Sequence, residues 1–169
     1  MAVSKGYVPG IEKGLHEAME EGFVAGYPAV DIGVELLDGK EHPVDSSEMA
    51  FKLASKGAMR DAASKAGPVL LEPVMNLEVI IEEQYLGDVL SDLNTRRGRV
   101  MGQEPMAGGF VVIKAQVPQS ELLRYSIDLR SMTSGTGGFE MSFSHYNPIS
   151  GKVADDVIKA AQAAREEAS

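Results

Sequence analysis

A chain of 169 residues with 44% hydrophobic content, no cysteine and a net charge of −9 is sized for one medium domain or two small ones. The lack of cysteine excludes a disulfide framework, a thiolate nucleophile and a cysteine-ligated metal, and it fits a reducing cytoplasm. The negative charge excludes a general nucleic-acid binder, for DNA above all, because non-specific affinity comes from Lys and Arg neutralising phosphates.

That exclusion holds for both halves, since 7 basic and 12 acidic residues precede Pro73, and 9 basic and 13 acidic residues follow it. Any contact with RNA must come from local patches and shape. No window approaches the roughly 20 apolar residues that cross a bilayer, and the first residues lack the pattern of a signal peptide. A cytoplasmic protein with no membrane partner is the expectation.

In chain order, Val8 to Glu21 carries Ile11, Leu15 and Ala18/Met19 at helical spacing, with glutamates on the other faces, which predicts an amphipathic helix. From Ala29 to Leu37 the period changes to two, with Val30, Ile32, Val34 and Leu36 on one side, and this predicts a half-buried strand ending at Asp38-Gly39. Asp45 and Glu48 are spaced as a capping box for a helix running to about Ala66. Ala50, Ala54, Gly57/Ala58 and Ala62 fall on one side of that helix, which points to close packing against a sheet. Lys52, Lys56 and Arg60, at successive i+4 positions, form a basic stripe for which a solvated face is the first reading.

Gly67-Pro68 stops the helix, "VLLE" (69–72) reads as a short buried strand, and Pro73 marks a module boundary. Beyond it, Met75, Leu77, Val79 and Ile81 alternate as a strand. Leu86, Val89, Leu90 and Leu93 make a helix ending in "RRG". Val100 and Met101 lie in a second strand and "AGG" (107–109) turns the chain. Val111, Ile113, Ala115 and Val117 alternate as a third strand, Ser120 opens a helix with Leu122, Leu123 and Ile127, and Phe139, Met141 and Phe143 alternate as a fourth. The order βαββαβ is that of a ferredoxin-like α+β module. A final Ala-rich helix runs from about Lys152 to Glu167.

Little in the chain carries chemistry. The three histidines, 16, 42 and 145, stand at no metal-ligand spacing; His16 is read as a surface or boundary residue of its helix and His145 as half-packed at a strand end. "TSGTGGF" (133–139) lacks the Lys-Ser/Thr of a phosphate loop and leads into a strand, so no GTP or ATP site is expected there. Arg96, Arg97 and Arg99 cluster at a helix C-terminus, where they complement the helix dipole or contact phosphate; the residues alone leave both readings open.

Three strings, "AGYPAVDIGVELLDGKEHPVDSSEMAFKLA" (25–54), "KAGPVLLEPVMNLEVIIEEQYLGDVLSDLNTRRGRVMG" (65–102) and "DLRSMTSGTGGFEMSFSHYNP" (128–148), resemble the C-terminal end of translation elongation factor G, the GTP-driven ribosomal translocase. The likeness runs from about Gly6 to Pro148. It implies a partial fourth domain of left-handed βαβ type over 1–72 without its first strands, a ferredoxin-like fifth domain over 73–148, and a C-terminal helix over 149–169. It further implies that the fourth domain's tip, with Lys40, His42 and Pro43, reaches the small-subunit decoding site and transfer RNA. Arg96, Arg97 and Arg99 would then face large-subunit RNA near the stalk base and the sarcin–ricin loop.

In that reading GTP and magnesium belong to the full-length parent, no cofactor is held here, and the chain itself is not an enzyme. Departures from the family pattern include Pro43 in place of an acidic residue and Thr136 where an arginine is usual, which weakens a role for the 133–139 loop in gripping RNA. The competing readings are a ribosome recycling or protection factor of the same superfamily and a free-standing ferredoxin-like binding module.

Overall fold

A computed structural model describes residues 3–168. In chain order its elements are α1 (Val8–Glu21), α2 (Glu48–Ala66), β1 (Leu70–Glu82), α3 (Leu86–Thr95), β2 (Arg99–Met106), β3 (Phe110–Pro118), α4 (Tyr125–Met132), β4 (Gly138–Ile149) and α5 (Gly151–Glu167). The protein is α+β, as expected. Its contacts define two compact units, one built from residues up to Leu70 together with those from Ser150 onward, the other Leu71–Ile149.

The first unit is helical. Gly10, Gly14 and Ala18, four residues apart, form the buried ridge of α1, and they let its backbone approach α2 closely. A Cβ on Gly10 would stand 2.6 Å from the Glu48 carbonyl oxygen, and one on Gly14 would collide with the Lys52 carbonyl and the Ser55 hydroxyl. Ser55 Oγ donates across the seam to the Ile11 carbonyl at 3.1 Å. The close approach that the sequence assigned to the small residues of α2 is thus made by those of α1. Ala50, Ala54, Gly57, Ala58 and Ala62 are exposed, and it is Phe51, Lys52, Ser55, Lys56 and Met59 that are covered.

The strand expected at 29–37 does not form; no residue from 22 to 47 is in a strand. Val30, Ile32 and Val34 are 51%, 41% and 50% exposed, and Asp31 has a φ of 59°, which breaks the alternation. The physical reason is that a strand exists only through a neighbour that pairs its amides and carbonyls. The period-two pattern is real, but among the described residues nothing lies alongside it to complete a ladder. The cap of α2 also shifts: Ser47, not Asp45, is the N-cap, its hydroxyl accepting from the Ala50 amide at 3.0 Å, so the Asp45/Glu48 box is not used.

The second unit is the ferredoxin-like module, its sheet ordered β2-β3-β1-β4. β3 runs antiparallel to both β1 and β2, with Leu77 opposite Ala115 and Val79 opposite Ile113. The alternating residues of β1 and β3 enter one core with Val89 and Leu93 of α3 and Tyr125 and Leu129 of α4. Each fully buried side chain of this size contributes roughly 1.5–3 kcal/mol. Three boundaries differ from the sequence reading: in place of a helix opening at Ser120, a 3-10 turn over Gln119–Leu122 precedes α4, which starts at Tyr125 and leaves Leu123 and Ile127 exposed. "VLLE" is not a separate strand, because β1 continues from Leu70 through Pro73, and β4 extends to Ile149, leaving Met141 and Phe143 about half exposed.

Candidate functional site

The strongest candidate is the loop between Asp38 and Ser47. Its corner closes on itself: the His42 amide donates to Ser46 Oγ at 2.7 Å, and the Ser46 amide donates back to the His42 carbonyl at 3.2 Å. These reciprocal bonds hold His42, Pro43 and Val44 outward, all exposed. The imidazole Nδ1 faces the loop, 3.0 Å from Asp45 Oδ2 and 3.3–3.4 Å from the Val44 and Asp45 amides. Neutral, that nitrogen accepts from the amides; protonated, it donates to the carboxylate. Either way Nε2, which has no hydrogen bond among the described residues, is the atom presented to a partner.

The loop is anchored by residues that the sequence reading did not connect to it. The Ser4 amide and hydroxyl both donate to the Glu41 carboxylate, the hydroxyl at 2.8 Å. Tyr7 stacks on Phe51 with ring centroids 4.8 Å apart and donates from its hydroxyl to the Ser46 carbonyl at 3.4 Å. Val3 is buried and packs where a Cβ on Gly39 would sit. Contacts across more than thirty residues leave no local signal. Lys40, exposed beside this anchor, makes no ion pair among the described residues.

The basic stripe of α2 is engaged within its own unit. Lys52 bonds Glu17 at 2.5 Å, Lys56 lies 2.5 Å from Glu21 and 3.5 Å from Glu17, and Arg60 pairs with Glu21. Hydrogen bonding from Lys52 and from Lys56 holds Glu17 and Glu21 below the ordinary carboxylate range, and the bond to Glu21 raises the Lys56 ammonium. The stripe ties α1 to α2.

The arginine cluster separates into two kinds. Arg96 is enclosed: it bonds Asp92 at 2.7 Å, Asp128 at 2.8 Å and the Glu121 carbonyl at 2.7 Å, and it lies 5.0 Å from the Tyr125 ring centroid. Arg97, in left-handed backbone conformation at φ 56°, bonds both oxygens of Glu72 at 2.7 and 3.0 Å and Glu121 at 3.0 Å. The carboxylates hold both guanidinium groups well above their ordinary range, with Asp92 first for Arg96 and Glu72 first for Arg97. Arg99 is exposed on β2 with no ion pair or hydrogen bond among the described residues.

His16 is exposed, as expected, whereas His145 is exposed instead of half-packed. The 133–139 stretch satisfies its own polar groups. Buried Thr133 donates from Oγ1 to the Leu129 carbonyl at 2.7 Å and accepts from the Gly137 amide at 2.9 Å, while the Gly135 amide donates to the Arg130 carbonyl at 2.8 Å. These bonds close the helix-to-strand turn from within. Among the described residues no group of three or more His, Cys, Asp or Glu side chains is placed to hold a metal ion, and no helix is long and apolar enough to cross a membrane.

Comparison with known proteins bears directly on this architecture. Residues 1–67 match elongation factor G, domain IV, and residues 69–157 match the elongation factor G C-terminus. A crystal structure of a protein from Thermus thermophilus is similar, with a TM-score of 0.85 at 37% sequence identity over 95% of this chain, which spans 24% of that one. The chain belongs to the elongation factor G family.

Proposed function

We propose that this chain is the ribosome-contacting part of a translocation factor, working in the cytoplasm. Its first unit is an arm whose tip, with Lys40, His42 and Pro43, meets transfer RNA and messenger in the small-subunit decoding site. Its second unit rests against large-subunit RNA at the stalk base and sarcin–ricin region, with Arg99 as the member of the arginine cluster available for contact. GTP hydrolysis and its magnesium belong to other parts of a longer protein, and this chain turns over no nucleotide.

The observation that carries the reading is the presentation of His42. A loop closed by two reciprocal bonds and tethered through Glu41 holds an imidazole outward with Nε2 open, and such a ring stacks on a base or hydrogen-bonds its edge without a fixed charge. The test is His42→Ala in the full-length factor, with messenger movement and GTP hydrolysis followed in the same preparation. Translocation should slow at least tenfold while hydrolysis stays within twofold of the parent; unchanged translocation would remove the proposal.

A further inference from the structure

The face of the β-sheet turned away from α3 and α4 offers a second site. Its central strands display Asn76, Glu78 and Ile80 from β1 and Phe110, Val112, Lys114 and Gln116 from β3, and the one ring, Phe110, stands opposite Glu82 at the far end of β3 from Gln116. Four-stranded sheets of this kind read single-stranded RNA by stacking bases on aromatic side chains. On these two central strands the end that carries Gln116 and Pro118 has no such ring.

At one end of the face is a cleft lined by Glu72, Arg97, Arg99, Gln116, His145 and Asn147, with Val74 and Pro118 as its apolar floor. Its single carboxylate, Glu72, is consumed by the bidentate bond from Arg97. A chain of hydrogen bonds then sets the imidazole. Gln116 Nε2 donates to Asn76 Oδ1 at 3.2 Å and to Ser144 Oγ at 3.3 Å, and Ser144 Oγ lies 2.8 Å from His145 Nδ1. Ser144 Oγ thus occupies Nδ1 and leaves Nε2 as the ring nitrogen without a partner among the described residues. The Arg99 guanidinium, His145 Nε2 and the Asn147 amide, none bonded elsewhere among the described residues, therefore line one cleft.

We propose that this cleft binds a phosphodiester group of folded RNA, recognising backbone and not bases. A set of donors with one unpaired guanidinium suits the oxygens of a singly charged phosphodiester. The proposal rests on the ribosomal reading given above and names the RNA group that the second unit would hold.

The test is binding of this chain to purified large ribosomal subunits between 50 and 200 mM KCl. Arg99→Gln, His145→Ala, His145→Gln and Arg124→Gln are compared with the parent, and thermal unfolding checks that each variant folds. Arg99→Gln should weaken binding about tenfold and lower the slope of log affinity against log salt by about one. His145→Ala should weaken it about threefold with the slope unchanged, His145→Gln should recover most of that loss by supplying an amide donor, and Arg124→Gln should behave as the parent. If the parent binds and both cleft variants bind equally well with the same slope, the cleft is refuted while the ribosomal reading stands. If the parent does not bind the subunits, both fall. NMR signals of Arg99 and His145 that move with inorganic phosphate, while subunit binding ignores Arg99→Gln, would make this a small-anion site and overturn the RNA assignment.

Discussion

Gly14 of α1 and Lys52 of α2 meet backbone to backbone, so that a Cβ added to Gly14 would collide with the Lys52 carbonyl. Gly57, in the exposed middle of α2, has nothing within 4 Å of its added Cβ. Alanine at these two positions should therefore have opposite effects. Gly14→Ala forces two packed backbones apart and should destabilise the first unit by about 2 kcal/mol. Gly57→Ala only removes the entropy cost of a mid-helix glycine and should stabilise by about 0.5–1 kcal/mol. Urea unfolding followed by helix signal measures both, and effects of equal sign would contradict the packing described.

The arginine cluster permits a similar separation. The Arg96 side chain is only 15% exposed, and its partner Asp92 only 19%, so removing the guanidinium leaves carboxylates with little water to replace it. Arg96→Ala should destabilise the second unit by roughly 2–4 kcal/mol. Arg96→Lys should recover little, because one ammonium cannot bond Asp92, Asp128 and the Glu121 carbonyl together. Arg99→Gln, at an exposed site without partners, should change stability by less than about 0.5 kcal/mol. Denaturant midpoints for the three variants decide whether Arg96 is a structural clamp, as its bonds indicate.

Much of the second unit was legible in the sequence because its core follows one rule, an alternation of apolar residues that β1 and β3 satisfy in mutual register. Helix α1 was legible to its last residue. What failed depended on neighbours: Val30, Ile32 and Val34 have the pattern of a strand, but pairing is a property of two segments, and one segment's sequence cannot report it. Gly10 and Gly14 carry no signal of their own, because composition shows where backbones can approach, not which helix does so. The same limit applies to the site. His42 stood out at its corner, whereas the Ser4–Glu41 bonds that anchor it and the relay that orients His145 join residues far apart in the chain. Arg96, Arg97 and Arg99 read as one cluster until geometry placed carboxylates against the first two.

The ion pairs between α1 and α2 give the first unit a defined acid sensitivity. Hydrogen bonds from Lys52 and Lys56 hold Glu17 and Glu21 below the ordinary carboxylate value of 4.5. A carboxylate with a lowered folded pKa stabilises the fold above its unfolded value and loses that contribution as pH falls through the lowered one. The raised Lys56 ammonium adds stability below its ordinary value of 10.5 that disappears only at still higher pH. The protection factors of the α1 amides, which divide out the base-catalysed intrinsic exchange, should thus be flat through neutral pH and fall below about pH 4.5. In the double variant Glu17→Gln, Glu21→Gln that acid step should shrink, and high salt should weaken the pairs at neutral pH; an acid step of undiminished size would assign it to other carboxylates.

The segment from Tyr27 to Lys40 should be the first part of the chain to be cut by protease. It is in no helix or strand, Leu37 is 77% exposed, and its backbone has no ladder to be pulled from before it fits a protease cleft. Trypsin has one site within it, after Lys40, whereas Lys52 and Lys56 sit on α2 in ion pairs with α1. Brief digestion should give a first cut after Lys40 while the bonds following Lys52 and Lys56 survive, and chymotrypsin should enter at Leu37. The Glu41 bonds to Ser4 lie one residue beyond the tryptic site and should slow that cut, so Glu41→Gln should hasten cleavage after Lys40 several-fold and leave cleavage within the helices unchanged. If mass spectrometry finds α2 cut before Lys40, the loop is more firmly held than its exposure indicates, and the tether through Glu41 would not be what limits its motion.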